Sequence, residues 1–241
     1  MTAAAPTPAT PTPLFGIDVW TDVVCPWCYV GEARLLEAIE AEGLTGRVAL
    51  RAHSFELDPT APTGSTEDNV TGLARRKGIP VQKVQEMEAQ IGDLSREVGR
   101  EYVSPRPMGN TRGVHRVLQA VQEARGAEVA TEFFLELQRG HFTDTVNPFD
   151  EEVVVARAVA AGLEEADARA AWAGTTHDDA VEEDVREAVA MGARGVPFFL
   201  FDDRYTAPGA LPTETFRQAL RQIAAEAEER SAAGGETPAE G

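Results

Sequence analysis

Apolar and polar positions alternate through Phe15, Ile17 and Val19, and this period of two predicts a strand over residues 15–23 with one face in a core. The period then changes. Over residues 26–42 the apolar positions Val30, Leu35, Leu36 and Ile39 recur at helical spacing, and Gly43 ends the run. Alternation returns through Val48, Leu50 and Phe55, so residues 47–57 read as a second strand and the whole as a βαβ unit that stops at Asp58-Pro59.

Past a loop at 60–66 the pattern is helical as far as Met191. Helical segments are expected at about 67–78, 81–100, 111–125, 128–139, 149–161, 164–173 and 176–191, with no strand among them; Gly78-Ile79-Pro80, Ser104-Pro105-Arg106-Pro107, Gly126, Gly140, Asn147-Pro148 and Gly174 punctuate them. An apolar strand at 195–201, a tight turn at Asp202-Asp203-Arg204, a short strand at 205–207 and a helix at 213–228 carrying Phe216, Leu220 and Ile223 close the chain. The resulting division is a disordered leader at 1–13, a unit built from 14–65 and 192–228, an inserted helical domain at 66–191 and a disordered acidic tail at 229–241.

Composition narrows the partners. A chain of 241 residues, 43% of them hydrophobic, can bury a substantial core, and a net charge of −18 argues against nucleic acid or an anionic membrane surface, which need concentrated Lys and Arg. No apolar run approaches the length of a membrane span, and residues 1–13 have neither the basic start nor the apolar centre of a signal peptide. A cytoplasmic protein, monomer or homodimer, is therefore expected.

The two cysteines, Cys25 and Cys28, stand where the first strand gives way to the first helix. The residue before a proline is pushed out of the helical region, so Cys25 belongs at the N-cap and Pro26 at the first helical position. Free N–H groups of the first turn and the positive end of the helix dipole then favour an anion at the Cys25 sulfur. Cys25 is expected to be an exposed, low-pKa nucleophile, and Cys28, three residues on and turned inward, the thiol that resolves a mixed disulfide. Asp22, three residues earlier, is a candidate to assist proton removal from Cys28, or simply caps the strand-to-helix turn. The same Cys spacing serves in half a zinc site, but four ligands are needed there, no other cysteine exists, and His53, His115, His141 and His177 are scattered; no metal is expected.

The Asp22-Val23-Val24-Cys25-Pro26-Trp27-Cys28-Tyr29 run and, far downstream, Gly195-Val196-Pro197-Phe198-Phe199 resemble the DsbA-type thioredoxin-fold oxidoreductases, within them the FrnE-like branch related to 2-hydroxychromene-2-carboxylate isomerases and kappa-class glutathione transferases. The resemblance covers about residues 17–224. It implies an α/β thioredoxin fold with a large all-helical insertion and thiol–disulfide exchange with protein or small-molecule thiols. The redox-active disulfide would be the sole redox group, with glutathione a potential co-substrate.

The resemblance further implies a cis Val196-Pro197 bond facing the cysteines, with both residues docking substrate, and places Asn110 and His115 in a substrate pocket between the two parts of the chain. Trp27 stands where DsbA has a histidine; an indole adds no positive charge, so a less oxidising couple is implied. Pro208-Gly209-Ala210-Leu211 departs from the Ser-Gly-Ala-Gln expected of the branch. Two other activities fit the same resemblance: a glutathione-dependent isomerase or transferase acting on a small aromatic compound, and a chaperone using the cleft while the cysteines stay reduced.

Overall fold

A computed structural model describes residues 12–64, 67–143 and 145–234. Most of the expected leader and the last seven residues lie outside this set, as do Ser65, Thr66 and Asp144. The fold is the thioredoxin-type α/β arrangement: β1 (Phe15–Thr21), α1 (Pro26–Ala41) and β2 (Val48–Ser54) come first, and β5 (Phe198–Phe201), β6 (Tyr205–Pro208) and α9 (Thr213–Gly234) last. Between them stand α2 (Asn69–Lys77), α3 (Val81–Glu97), α4 (Arg112–Arg125), α5 (Ala127–Phe142), α6 (Glu151–Ala160), α7 (Glu165–Ala173) and α8 (Asp178–Ala190), with two short strands, β3 (Glu67–Asp68) and β4 (Pro107–Met108).

The four-stranded sheet has the order β2-β1-β5-β6. β1 pairs in parallel with β2, Val19 opposite Ala52 and Trp20 opposite His53, and antiparallel with β5, Val19 opposite Phe199. A parallel neighbour requires a crossover, which α1 supplies. Successive strand residues face opposite ways, so Phe15, Ile17 and Val19 enter the main core with Leu35, Phe134, Phe199, Phe216 and Leu220. Trp20 takes the other face, in a smaller cluster with Ala188, Ala193 and Phe198, and its indole N–H donates to the Asp184 carbonyl at 2.7 Å.

The structure departs from the sequence expectations in three places. β3 and β4 pair inside the stretch where no strand was expected, because two-residue strands are too short to show alternation. Helix α9 runs to Gly234, so residues 229–234 of the expected disordered tail are helical; Ser231-Ala232-Ala233 contains no breaker, and glycine comes only afterwards. A second cis bond, Ser104–Pro105, accompanies the expected cis Val196–Pro197.

Candidate active site

Cys25 is the N-cap of α1 in extended conformation, and its sulfur accepts the Cys28 backbone N–H at 3.4 Å. Its own N–H is held by the Asp22 carbonyl at 3.0 Å. Both cysteines are free thiols. One expectation fails: Cys25 is not exposed but 2% accessible. The main-chain carbonyl of Val196 caps the sulfur at 3.5 Å, accepting from the thiol, so Val196 and the cis Pro197 stand over Cys25. Gly31 permits that approach. A Cβ there would meet Pro197 Cγ at 3.0 Å and the Ala210 Cα at 3.2 Å, so glycine lets α1 pass this close to the Pro197 loop without pushing it back.

Cys28 lies one turn below, fully buried, and its thiol is held well above its ordinary pKa, first by burial and then by its interactions with Cys25 and the nearby Glu32 carboxyl. Glu32 is the functional candidate that sequence reasoning missed. At the i+4 position from Cys28 it shares the same helix face, and it is buried there among apolar neighbours. Burial raises its pKa to about 7. The Thr21 hydroxyl donates to Glu32 Oε1 at 2.7 Å, receives a long bond from Gln138 Nε2 at 3.4 Å and works to lower the Cys28 pKa against the other influences there. Glu32 Oε2 and Gln138 Oε1 are buried without a hydrogen bond. The legible signal was a lone acid one turn after the second cysteine on an otherwise apolar helix face.

Asp22, the acid singled out from the sequence, is engaged elsewhere. Its carboxylate accepts from the N–H groups of Leu57 (2.8 Å) and Val24 (3.5 Å) and from the Thr111 hydroxyl (3.4 Å), tying the β1–α1 turn to the segments after β2 and before α4. His115 is fully buried; its Nε2 lies 3.5 Å from Asp22 Oδ1 without hydrogen-bond geometry, and its ring stacks on Phe134. Asn110 donates to the carbonyls of Pro59 and Ala61 and caps the Arg112 N–H, bracing the 58–64 loop. Cys25, Cys28, Val196 and Pro197 therefore meet at one point, His115 backs the Asp22 turn, and Asn110 lines a separate groove with Arg112 and Trp172. Trp27 is 45% exposed.

His53, which had no visible partner in the sequence, sits between two carboxylates, Asp18 (2.7 Å) and Asp184 (3.0 Å), and stacks on Trp20. Burial works against its charge, yet hydrogen bonds to Asp18 and Asp184 win and its pKa rises to about 9. With Glu187, His53 and Asp184 form the one group among the described residues whose ligand atoms lie close enough for a metal ion. Both ring nitrogens are already paired, and Asp184 Oδ2 is held by Ser54 N and Gln119 Nε2, so the cluster is complete as it stands.

Residues 16–221 match the DSBA-like thioredoxin domain family. The chain belongs to that family. It is 34% identical to the solved structure of the probable DsbA oxidoreductase SCO1869 from Streptomyces coelicolor, with a TM-score of 0.78 over 94% of this chain and 93% of that one. The uncharacterized protein YwbO of Bacillus subtilis is 26% identical over 207 residues, 85% of this chain and 94% of YwbO. The cytosolic disulfide reductase DsbM from Pseudomonas aeruginosa, solved with GSH, has the same fold at 19% identity, with a TM-score of 0.53 over 90% of this chain and 99% of DsbM. The DsbA-type resemblance read from the cysteine and proline motifs is thus borne out at the level of the family. Among the described residues no helix is long and apolar enough to cross a membrane.

Proposed function

We propose that the protein is a cytoplasmic thiol–disulfide oxidoreductase working through Cys25 and Cys28. One observation carries the reading: a capped sulfur at a helix N-terminus lies directly above a second, fully buried thiol that has its own buried acid. The Cys25 thiolate attacks a substrate disulfide and forms a mixed disulfide, releasing one substrate thiolate. The Cys28 proton passes to the Glu32 carboxylate through the Thr21 hydroxyl. The Cys28 thiolate then attacks Cys25 Sγ, the second substrate thiolate leaves, and the Cys25–Cys28 disulfide remains for an external thiol to reduce. Glu32, with a pKa of about 7, is matched to accepting and returning that proton near neutrality.

Entry to Cys25 runs past Val196, whose carbonyl must release the sulfur as substrate docks. Asp22, Pro26 and Trp27 shape the turn and first helical residues in this reading, and Val196 and Pro197 receive the substrate main chain. Because DsbM is a cytosolic reductase recorded with GSH, glutathione is the first co-substrate to test. Equilibration in glutathione redox buffers, followed by thiol trapping and mass measurement, is expected to give a single two-electron transition. A pair that stays dithiol at every oxidising poise would sink the proposal.

A further inference from the structure

The segment that covers the Cys25 sulfur is fastened to the helix that carries Cys25, and the fastenings form a closed ring. The Val196 carbonyl accepts from the thiol at 3.5 Å. The carbonyl of Pro197 accepts the Gly209 N–H at 2.8 Å, and the carbonyl of Ala210 accepts from Arg34 Nη1 of α1 at 3.0 Å. Gly209 makes the turn with φ at 79°, in the left-handed region that favours glycine. Gly31 sits inside the ring and faces both Pro197 and Ala210. Helix α1 is a fixed post for all of this, because Leu35, Ala38 and Ile39 are buried in the main core.

Arg34 differs from the arginines packed against the same helix. On α9, Arg217 and Arg221 each pair with Glu42 of α1 and with Glu214. Arg34 makes no ion pair among the described residues, although the chain holds 40 acidic side chains against 22 basic ones. Its hydrogen bond goes to a main-chain carbonyl instead, and a charged donor makes that bond roughly twice as strong as a neutral one would. On the far side of Pro197 the chain is held as well, since Phe198 and Phe199 pair with both β1 and β6. Val196 therefore lifts from the sulfur when the contacts of Pro197, Gly209 and Ala210 over α1 give way.

We infer that Arg34 is a positioning residue for the exchange reaction: by holding the Ala210 carbonyl it keeps the Val196–Pro197 segment down on Cys25, and so sets how often the sulfur is open to a substrate disulfide. The inference rests on the thiol–disulfide reading and adds control of access to it. Opening is a local event that leaves α1 and the sheet in place.

The test uses Cys28→Ser protein, in which reaction stops once Cys25 is captured, with 5,5′-dithiobis(2-nitrobenzoate) as the probe. The Cys25 thiolate attacks one sulfur of the probe, a mixed disulfide forms, and coloured thionitrobenzoate leaves with the electron pair. Rates are taken on the alkaline plateau of the pH profile, where the thiolate fraction no longer changes. About 1 M KCl screens charges beyond about 3 Å, so the anionic probe does not respond to the Arg34 charge itself.

Arg34→Met should raise the capture rate by about tenfold, the factor that one hydrogen bond is worth. Arg34→Lys keeps a charged donor and should stay within about threefold of the parent. Gly31→Ala pushes Pro197 and Ala210 off their seat with the Arg34 charge intact, and should give a rise like that of Arg34→Met. The double variant should go no further than the larger single change, because both release one contact, whereas independent effects would multiply to about a hundredfold. Each rise should be insensitive to low urea, since local opening exposes little surface and capture through unfolding climbs steeply with denaturant. An Arg34→Met rate within about twofold of the parent, a rise that climbs with urea, or multiplication in the double variant would overturn the role of Arg34 while leaving the thiol reading intact. If the parent protein releases no thionitrobenzoate, the thiol reading itself falls.

Discussion

Two buried acid clusters flank β1, and they are built to opposite rules. On the Trp20 face, His53 has both nitrogens paired to carboxylates, and Asp184 has both oxygens paired as well. On the α1 side, Glu32 has one good donor from Thr21, a second oxygen with none, and a neighbouring Gln138 oxygen also orphaned. The first cluster lowers the energy of one protonation state and holds it. The second keeps an acid between two states, which is what a proton acceptor for Cys28 needs. Complete satisfaction marks architecture and incomplete satisfaction marks chemistry, and the two can be separated by experiment.

The largest effect should come from His53→Leu. Removing the cation from a buried, paired cluster leaves Asp18 and Asp184 facing each other and is expected to cost about 3–5 kcal/mol in urea unfolding. Disulfide exchange per folded molecule should stay within about twofold. In the wild type the pKa of about 9 is raised over its ordinary value, so the His53 contribution is fully present below about pH 6.5 and lost as pH rises through 9. The variant should lack that slope. A comparable loss of exchange rate in His53→Leu would erase the distinction between the clusters.

Glu32→Gln tests the other side. An acid whose folded pKa is raised from 4.5 to about 7 destabilises the fold as pH climbs through that interval, because the folded state must give up a proton it holds more tightly than the unfolded state. The glutamine variant should therefore be more stable than wild type by about 3 kcal/mol at pH 8 and equal to it at pH 4. Resolution of a mixed disulfide on Cys25, followed in single turnover, should slow by about 10²-fold at pH 8 and lose its step near pH 7. A variant that is more stable and equally fast with the same pH profile would remove Glu32 from the mechanism.

A smaller, intermediate result is expected of Thr21→Val. In the proposed mechanism the hydroxyl links Cys28 to Glu32 Oε1, and its loss leaves Glu32 without its donor, at a cost of about 1–3 kcal/mol. Resolution should slow by about tenfold, while the first attack by Cys25, read from thionitrobenzoate release in Cys28→Ser protein, stays the same. Equal slowing of both steps would show that Thr21 merely shapes the turn.

Legibility in the sequence followed the range of each interaction. The strand and helix order could be read because alternation and 3.6-residue spacing are local, and the N-cap at Cys25 because Pro26 constrains its neighbour. The His53 cluster could not, since its partners lie 35 and 131 residues away. Asp22 drew attention by nearness in sequence, yet its carboxylate is spent on Leu57, Val24 and Thr111. Glu32 was readable in principle, one turn after Cys28, but an acid within a helix looks like surface until burial is known. The cover over Cys25 came from Val196, 171 residues on, which is why exposure was the wrong expectation.

Trp27 offers the finest adjustment of the contrast, because it acts from outside the buried acids. Its side chain is 45% exposed at the second position of α1, next to the Cys28 whose N–H caps the Cys25 sulfur. Trp27→His would put an ionisable donor at the helix N-terminus, where it favours the thiolate and so the reduced pair. Solvent screens a charge so exposed, and the expected gain is about tenfold in the dithiol–disulfide equilibrium, or about 30 mV more oxidising. The shift should shrink above the pKa of the new imidazole, whereas the step near pH 7 that Glu32 gives the resolution rate should remain in Trp27→His. Redox titration of Trp27→His at pH 6 and pH 8 checks this: no difference from wild type at either pH would mean that the thiol pair is tuned by the buried acid below it and the Val196 carbonyl above it, with the exposed residue between the cysteines contributing nothing.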